Sequence, residues 1–197
     1  MTARVLAEAS RLAGARAELR GATGSTGHAV IASRESYAAG AMAALQALRQ
    51  SAGWPDAVLL ACFGDPGLAE LQPAAGVPVA GMAQSALREA AALARPYRIV
   101  TAGAGWPAML REFAMAQGLS AQLEGIVALD TTGLAVSRDP GAFVAALQQA
   151  LDDARADGVQ TVVLGGAGFA GMRGQLRFDG TLIDGLEAAL RSLGLEV

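Results

Sequence analysis

The sequence predicts an α/β protein with two pseudo-symmetric lobes and parallel sheets, on three observations. First, the 197 residues are 53% hydrophobic and only 17% charged, which favours a folded core over a disordered chain. Second, short apolar runs alternate with alanine-rich helical stretches, and the runs at 57–62 and 160–165 are continuous, as in strands covered on both faces. Third, the two halves of the chain resemble each other.

The order of elements follows from the spacing of apolar residues along the chain. Helical spacing predicts helices at 2–13, 34–50, 66–72, 83–94, 106–117, 140–157 and 184–194. Apolar runs bounded by glycine, proline or polar residues predict strands at 15–22, 57–62, 77–81, 98–102, 121–129, 160–165 and 181–183. Strands that alternate with helices in this way favour parallel pairing.

The internal repeat has an interval of 104 residues. The segment DAVLLACFGDPG at 56–67 corresponds to QTVVLGGAGFAG at 160–171, and the helix beginning at Thr2 corresponds to that beginning at Trp106. The strand at 98–102 has no counterpart, because it would precede the first residue. We therefore predict that the first lobe starts one strand late, although chance similarity between βα units is an alternative.

The repeat also predicts how the chain divides into lobes. We expect residues 1–84 with 184–197 in the first lobe, 97–183 in the second, and an active site between them, where the carboxyl ends of parallel strands meet. A first lobe without its central strand would expose apolar surface, which favours a homo-oligomer.

Composition excludes several classes of function. The net charge of −3 favours neither nucleic acid nor anionic membranes as partners. No apolar run approaches the roughly 18–20 residues of a membrane-spanning helix. The single cysteine excludes an internal disulfide and a cysteine-rich zinc site. An N-terminus without a charged and then apolar segment predicts a cytoplasmic protein.

Cys62 is the first candidate for chemistry, because it ends an apolar strand and opens the loop Phe63–Gly67. We expect the start of helix 66–72 to lower the pKa of its thiol toward neutrality, so that the thiolate serves as a general base. The alternative is a buried cysteine that packs as a small hydrophobic residue. Asp65 is interpreted as the N-cap of that helix rather than as a catalytic acid.

The glycine-rich segment 166–171 is the second candidate. Its spacing matches the dinucleotide-binding fingerprint, but the 26 residues after Gly171 leave no room for the helix, strand and acidic residue that such a site needs. We instead expect the backbone N–H groups of Ala167 and Gly168 to bind a carboxylate or carbonyl oxygen. No cofactor is predicted.

The segment DAVLLACFGDPGL at 56–68 resembles the aspartate/glutamate racemase superfamily, and within it the hydantoin and allantoin racemase branch. Supporting segments are VTAGAGWPAMLREF at 100–113, VVLGGAGFAG at 162–171 and LIDGLEAAL at 182–190. The resemblance implies two flavodoxin-like lobes, no cofactor, and two cysteines on opposite sides of the substrate carbon. One thiolate removes the proton, and the other thiol returns a proton on the opposite face.

This sequence departs from the family pattern in two places. Gly166 stands where the family has its second cysteine, so Cys62 alone remains of the pair. Family members also begin with a strand and a loop like Asn-Pro-Asn-Thr, and here Met1-Thr2 matches the residues just after that loop.

The resemblance implies a cofactor-independent, racemase-type isomerase that acts beside a carbonyl, with Cys62 as its acid and base. Its substrate would be a small molecule such as a hydantoin, an amino acid or a related carboxylate. The expected substrate-binding residues are Phe63, Gly64, Thr101, Gly166, Ala167 and Gly168. The alternatives are a single-cysteine decarboxylase of the same superfamily and a member that binds its ligand without turnover.

Overall fold

Helices and parallel strands alternate along the chain. The computed structural model describes residues 1–51, 53–131 and 139–197. The helices are α1 (Thr2–Ala13), α2 (Arg34–Arg49), α3 (Leu68–Ala75), α4 (Met82–Ala92), α5 (Trp106–Ala116), α6 (Pro140–Ala156) and α7 (Gly185–Ser192). The strands are β1 (Val58–Leu60), β2 (Val79–Gly81), β3 (Tyr97–Ala102), β4 (Leu123–Leu129), β5 (Thr161–Gly165) and β6 (Thr181–Asp184). Among these residues, no helix is long and apolar enough to cross a membrane.

The strands form two parallel sheets, one in each half of the chain. β1 pairs with β2 in a two-stranded sheet, and β4, β3, β5 and β6 lie in that order in a four-stranded sheet. Thr101 near the end of β3 is level with Gly165, the last residue of β5. The loops that follow these two strands therefore leave from the same edge of the sheet, which is where ligands bind in open α/β sheets.

Helices cover both faces of the four-stranded sheet. Ile99 of β3 and Val163 of β5 belong to one core, whereas their neighbours Val100 and Val162 belong to another. Leu147 of α6 lies in the second core. This alternation explains why the sequence of β5 is apolar throughout, since both faces of the strand are buried.

The first of these cores is shared by the two lobes. It contains Val5 of α1 and Ala80 of β2 from residues 1–84, together with Ile99 of β3 and Val163 of β5 from residues 97–183. Leu87 of α4, which connects the two sheets, is fully buried in the same core. The lobes therefore pack against each other through a continuous apolar interior.

The helices α4 and α7 hold this interior together. Arg191 of α7 donates two hydrogen bonds to Glu89 of α4, each of 2.9 Å, in the bidentate geometry that favours arginine over lysine. The fully buried Ala86 and Ala189 lie on the same two helices. α7 also packs on α1 and β2. The predicted boundaries of the two lobes remain a prediction.

The predicted strand at 15–22 is wrong. Residues 15 and 16 belong to a 3₁₀ turn, Gly14–Arg16, and residues 17–24 have no regular secondary structure. The counterpart of this segment, β4, pairs with β3 alone. Within the described ranges, β1 pairs only with β2, so no strand pairs with its other edge in the way that β3 pairs with β5. An extended segment without a neighbouring strand gains no ladder of hydrogen bonds, so apolar alternation alone does not make it a strand.

The open edge also changes the burial of β1. Val58, Leu59 and Leu60 are all half-buried, whereas every residue of β5, the counterpart of β1 in the other sheet, is buried. The first lobe thus has less apolar cover than the second. The predicted homo-oligomer remains a prediction.

The ring of Phe63 joins the two lobes directly. Phe63 follows β1 by three residues and is 3% exposed. A Cβ added to Gly165 would lie 3.0 Å from one edge of the ring, and a Cβ added to Gly185 would lie 3.0 Å from another. The bare α-carbons at the end of β5 and the start of α7 therefore leave the space that the ring fills.

We predict that Phe63→Ala lowers the free energy of unfolding by about 3–5 kcal/mol, because it leaves a cavity where the lobes meet. Urea denaturation measures this loss. The matched control is Met115→Ala, which removes an apolar side chain that is 64% exposed and should change stability by no more than about 0.5 kcal/mol. A loss of stability for Phe63→Ala as small as that of the control would contradict the structural role of the Phe63 ring.

Candidate active site

Cys62 begins a tight turn at the carboxyl end of β1. Its carbonyl accepts a hydrogen bond of 3.0 Å from the N–H of Asp65, and its own N–H donates to the carbonyl of Leu60 at 2.9 Å. Gly64 has φ of +115°, the left-handed region that glycine adopts without strain at the third position of a type II turn. The cysteine is half-buried, at the edge of the sheet where the sequence predicts a site.

Two backbone N–H groups, those of Phe63 and Gly64, lie in the middle of this turn. In the part of the chain that the structure describes, the N–H groups of Phe63 and Gly64 donate to no protein acceptor. Because the ring of Phe63 is buried between the lobes, this residue offers its backbone rather than its side chain. Both residues remain predicted substrate-binding residues.

Two aromatic side chains that the sequence analysis did not select fix this turn. Tyr37 of α2 donates a hydrogen bond of 2.6 Å from its hydroxyl to the carbonyl of Gly64. Trp106 at the start of α5 packs so closely on Gly64 that a Cβ there would overlap the indole ring. The indole also lies 3.5 Å from the Cβ position of Gly103, so Trp106 connects the Cys62 turn with the loop after β3.

The thiol of Cys62 is protonated at neutral pH. Burial raises the pKa of Cys62 to about 12, and the nearby Asp65 carboxylate contributes to the rise. The expectation that a helix lowers this pKa is therefore wrong. The helix expected to lower this pKa is α3, which begins only at Leu68, six residues after Cys62. Asp65 is nearer to Cys62 in the chain, and its negative charge raises the pKa of the thiol.

Asp65 caps a helix, but not the helix that the sequence predicted. Its carboxylate accepts hydrogen bonds from the N–H groups of Ala83 at 2.9 Å and Gln84 at 2.7 Å, which belong to the first turn of α4. Gly81 makes this possible, because a Cβ at that position would overlap the carboxylate. Burial raises the pKa of Asp65 to about 7, against the lowering effect of these N–H groups. With both oxygens engaged and 1% of the residue exposed, Asp65 has a structural role.

The glycine-rich segment 166–171 forms the loop that follows β5. Gly166 is extended, and Ala167–Phe169 form a single 3₁₀ turn closed by a hydrogen bond of 2.9 Å from the N–H of Phe169 to the carbonyl of Gly166. The N–H groups of Ala167 and Gly168 open this turn and donate to no protein acceptor among the described residues. A short turn in place of a full helix also argues against a dinucleotide site.

Thr101 contacts the strand end from which the glycine-rich loop leaves. Its hydroxyl donates a hydrogen bond of 2.6 Å to the carbonyl of Gly165, and the residue is 3% exposed. The hydroxyl proton therefore fixes the end of β3 to the end of β5, next to Gly166. A direct contact of Thr101 with a substrate remains a prediction.

The tertiary structure brings the predicted residues to one edge of the molecule. Phe63 contacts Gly165, Thr101 binds Gly165, and Trp106 covers Gly64, so the loops after β1, β3 and β5 meet. The sequence analysis missed Tyr37 and Trp106, because helical spacing reports which face of a helix is apolar and not which loop that face contacts.

A separate cleft of about 740 Å³ lies between α1, α7 and the segment 171–182, and its lining includes neither Cys62 nor Gly166. Several of its charged side chains pair with each other, as in the ion pairs Glu8–Arg11 and Arg173–Glu187. Nowhere in the described ranges do three or more histidine, cysteine or acidic residues come together as metal ligands.

Comparison with known proteins identifies the family. The profile of the family Asp/Glu/Hydantoin racemase matches residues 1–193. The chain belongs to this family. The hydantoin racemase of Paenarthrobacter aurescens is 34% identical over 140 residues, which are 70% of this chain and 59% of that protein. The chain therefore matches less than two thirds of that relative's length.

Solved structures show the same relationship. The allantoin racemase of Pseudomonas fluorescens superimposes with a TM-score of 0.89 at 26% identity, covering 99% of this chain and 87% of the other. The allantoin racemase of Klebsiella pneumoniae gives a TM-score of 0.88 at 28% identity, covering 98% and 83%. The predicted α/β fold with parallel sheets and the predicted hydantoin and allantoin racemase branch are both confirmed.

We predict that Asp65→Asn weakens the pH dependence of stability. The pKa of Asp65 is about 7 in the folded protein and 3.8 ordinarily, so its contribution to stability is complete below about pH 4 and is lost as the pH rises to about 7. The loss is on the order of 1.4 kcal/mol for each pH unit in this window. Asparagine cannot titrate, and it tolerates the φ of +53° at this position.

Urea denaturation between pH 4 and pH 8 measures this effect. Asp184 caps α7, and burial raises its pKa to about 6. Its titration accounts for the dependence of stability on pH that remains in Asp65→Asn. The control is Asp179→Asn, since Asp179 is 74% exposed in its ion pair with Arg155. If the free energy of unfolding changes with pH equally in the original protein and in Asp65→Asn, the raised pKa of Asp65 is refuted.

Proposed function

We propose that this protein is a cofactor-independent, racemase-type isomerase that acts on a carbon next to a carbonyl, with Cys62 as its acid and base. The observation that carries the proposal is the single thiol at the carboxyl end of β1, beside free N–H donors, in a chain that is 34% identical to a hydantoin racemase over 140 residues. We further propose a hydantoin, an amino acid or a related carboxylate as substrate, in a cytoplasmic homo-oligomer.

The free backbone donors suit the charge that such a reaction develops. Removal of a proton beside a carbonyl leaves an enolate, whose negative charge lies largely on the carbonyl oxygen. N–H groups directed at that oxygen stabilise the transition state, and each is worth about 10²–10³-fold in rate where it has been removed. The N–H groups of Phe63 and Gly64 on one loop, and of Ala167 and Gly168 on the other, are the donors we assign to this role, with Thr101 beside them.

The protonation state of Cys62 shapes its part in the reaction. With a pKa of about 12, the resting thiol is a proton donor, and it acts as a base only in the small fraction that is ionised. Proton removal by Cys62 therefore becomes faster as the pH approaches that value. Protonation of the enolate by the neutral thiol needs no such ionisation.

The same protonated thiol favours a second candidate function. Gly166 has no side chain to supply a proton on the opposite face, so Cys62 delivers protons from one side only. An enzyme of this kind can decarboxylate a malonate-type acid and protonate the resulting enediolate from the Cys62 face. Release of carbon dioxide from a 2-substituted malonate distinguishes this activity from racemisation. If the protein catalyses neither reaction, the remaining alternative is ligand binding without turnover.

We predict that Cys62→Ser abolishes the exchange of the ring C–H hydrogen of 5-benzylhydantoin with D₂O. Serine is far less acidic than cysteine, so the loss is about 10²–10⁴-fold, the usual contribution of a positioned acid or base. Proton NMR follows the exchange against a reaction without enzyme. Cys62→Ala is the matched control for size, and it should lose the same activity. Exchange that survives in both variants would exclude Cys62 as the base.

We predict that Gly166→Cys raises racemisation of the same hydantoin by about 10²–10⁴-fold, because it supplies a second acid on the opposite face. The extended backbone of Gly166 accepts any residue, but the new Cβ lies 3.0 Å from the ring of Phe169, which must move by a few tenths of an ångström. Polarimetry measures the rate. Gly166→Ala makes the same steric demand without a thiol, and it should gain nothing; equal rates for the two variants would contradict the two-thiol interpretation.

A further inference from the structure

A side chain of the first lobe binds the glycine-rich loop of the second. Arg4 of α1 donates hydrogen bonds from its guanidinium to the carbonyl of Gly168 at 2.8 Å and to the carbonyl of Ala170 at 3.1 Å. The residues joined in this way are more than 160 positions apart in the chain. Arg4 forms no ion pair within the described ranges, unlike Arg11 on the same helix, which pairs with Glu8.

The position of the guanidinium relative to the 3₁₀ turn matters. The N–H groups of Ala167 and Gly168 open the turn, whereas the carbonyls of Gly168 and Ala170 lie toward its end. The guanidinium therefore binds the carbonyl side of the turn, and the N–H groups of Ala167 and Gly168 donate to no protein acceptor within the described ranges.

The rest of α1 supports the same loop. Val5 and Ala9 of α1 are buried in one core with Ala170. One turn further along the helix, the carboxylate of Glu8 lies 3.3 Å from the Cβ position of Gly171, whose φ of +78° favours glycine. The loop is therefore packed against α1 along its second half, and Arg4 provides the polar part of that contact.

We propose that Arg4 is a positioning residue for the proposed reaction: by binding the carbonyls of Gly168 and Ala170, it holds the N–H groups of Ala167 and Gly168 in place for the enolate oxygen. This role rests on the proposed function. It makes the first lobe responsible for the donors of the second, so that both halves of the site depend on the contact between α1 and the loop.

Two measurements on Arg4→Gln test the proposal. Hydrogen–deuterium exchange of peptides that cover 164–172 should be about 10- to 100-fold faster in the variant, because the loss of hydrogen bonds from a charged group frees the loop, while peptides that cover 58–66 keep their rates. In the hydantoin exchange assay, kcat should fall by about 10- to 100-fold with a smaller change in KM, because misplaced donors affect the transition state more than the bound substrate.

Two further variants separate positioning from a general effect on folding. Arg4→Lys keeps the charge and can reach one carbonyl, so it should recover part of the lost kcat. Arg155→Gln removes the same charge from α6, where Arg155 forms an exposed ion pair with Asp179 outside the loop, and it should match the original protein in both measurements. Circular dichroism and Tm show that each variant is folded.

The outcomes distinguish this inference from the function on which it rests. Unchanged exchange of 164–172 in Arg4→Gln, or equal losses in Arg4→Gln and Arg155→Gln, would overturn the positioning role. Faster exchange of the loop in Arg4→Gln, in a protein whose original form does not act on the hydantoin, would support the contact and overturn the proposed function instead.

Discussion

The Phe63 ring packs against the bare α-carbons of Gly165 and Gly185, and so joins the first sheet to β5 and α7. These contacts place the turn after β1 directly beside the end of β5. The predicted donors of both loops lie within three residues of this contact. The geometry of the proposed site thus depends on core packing, because Phe63 fills the interior with its side chain and supplies one of the proposed backbone N–H donors. Substitutions at either glycine would therefore disturb the fold and the site together.

The electrostatics of the Cys62 turn follow from its burial. Removal of water raises the pKa of the thiol and of the Asp65 carboxylate, and the charge of Asp65 raises the pKa of Cys62 further. The carboxylate is retained because it satisfies two N–H groups at the start of α4, which would otherwise be buried without partners. A structural cap therefore sets part of the acidity of the proposed catalytic group. The chemistry of Cys62 cannot be separated from the way α4 begins.

The two halves of the chain differ at positions that the internal repeat relates. The interval of 104 residues relates Cys62 to Gly166 and Asp65 to Phe169. In the first half these positions carry a thiol and a buried carboxylate, and in the second half a bare loop and an aromatic ring in the core. The second half instead uses Asp184 to cap α7. The proposed site therefore has a thiol on the first of these loops only, and backbone N–H groups without a protein acceptor on both, within the described ranges.

Local pattern was sufficient for most helices and strands. The continuous apolar run in β5 predicts a strand buried on both faces, and the structure buries it there, because side-chain alternation is a property of the strand itself. The resemblance carried by the segment around Cys62 likewise identified the family. The segment at 15–22 shows the limit of such reasoning, since its alternation fits a strand but a strand also needs a neighbour with which to pair.

The same limit applies within the site. Sequence places Cys62, Thr101 and Gly166 near strand ends, and parallel strands end at one edge, so their approximate neighbourhood follows from chain order. The contacts of Tyr37 and Arg4 with the loops, and the capping of α4 by Asp65, join residues that are distant in the chain. Such contacts arise when helices and sheets pack in three dimensions. Periodicity records only that a side chain points inward, whereas packing decides which backbone group it meets.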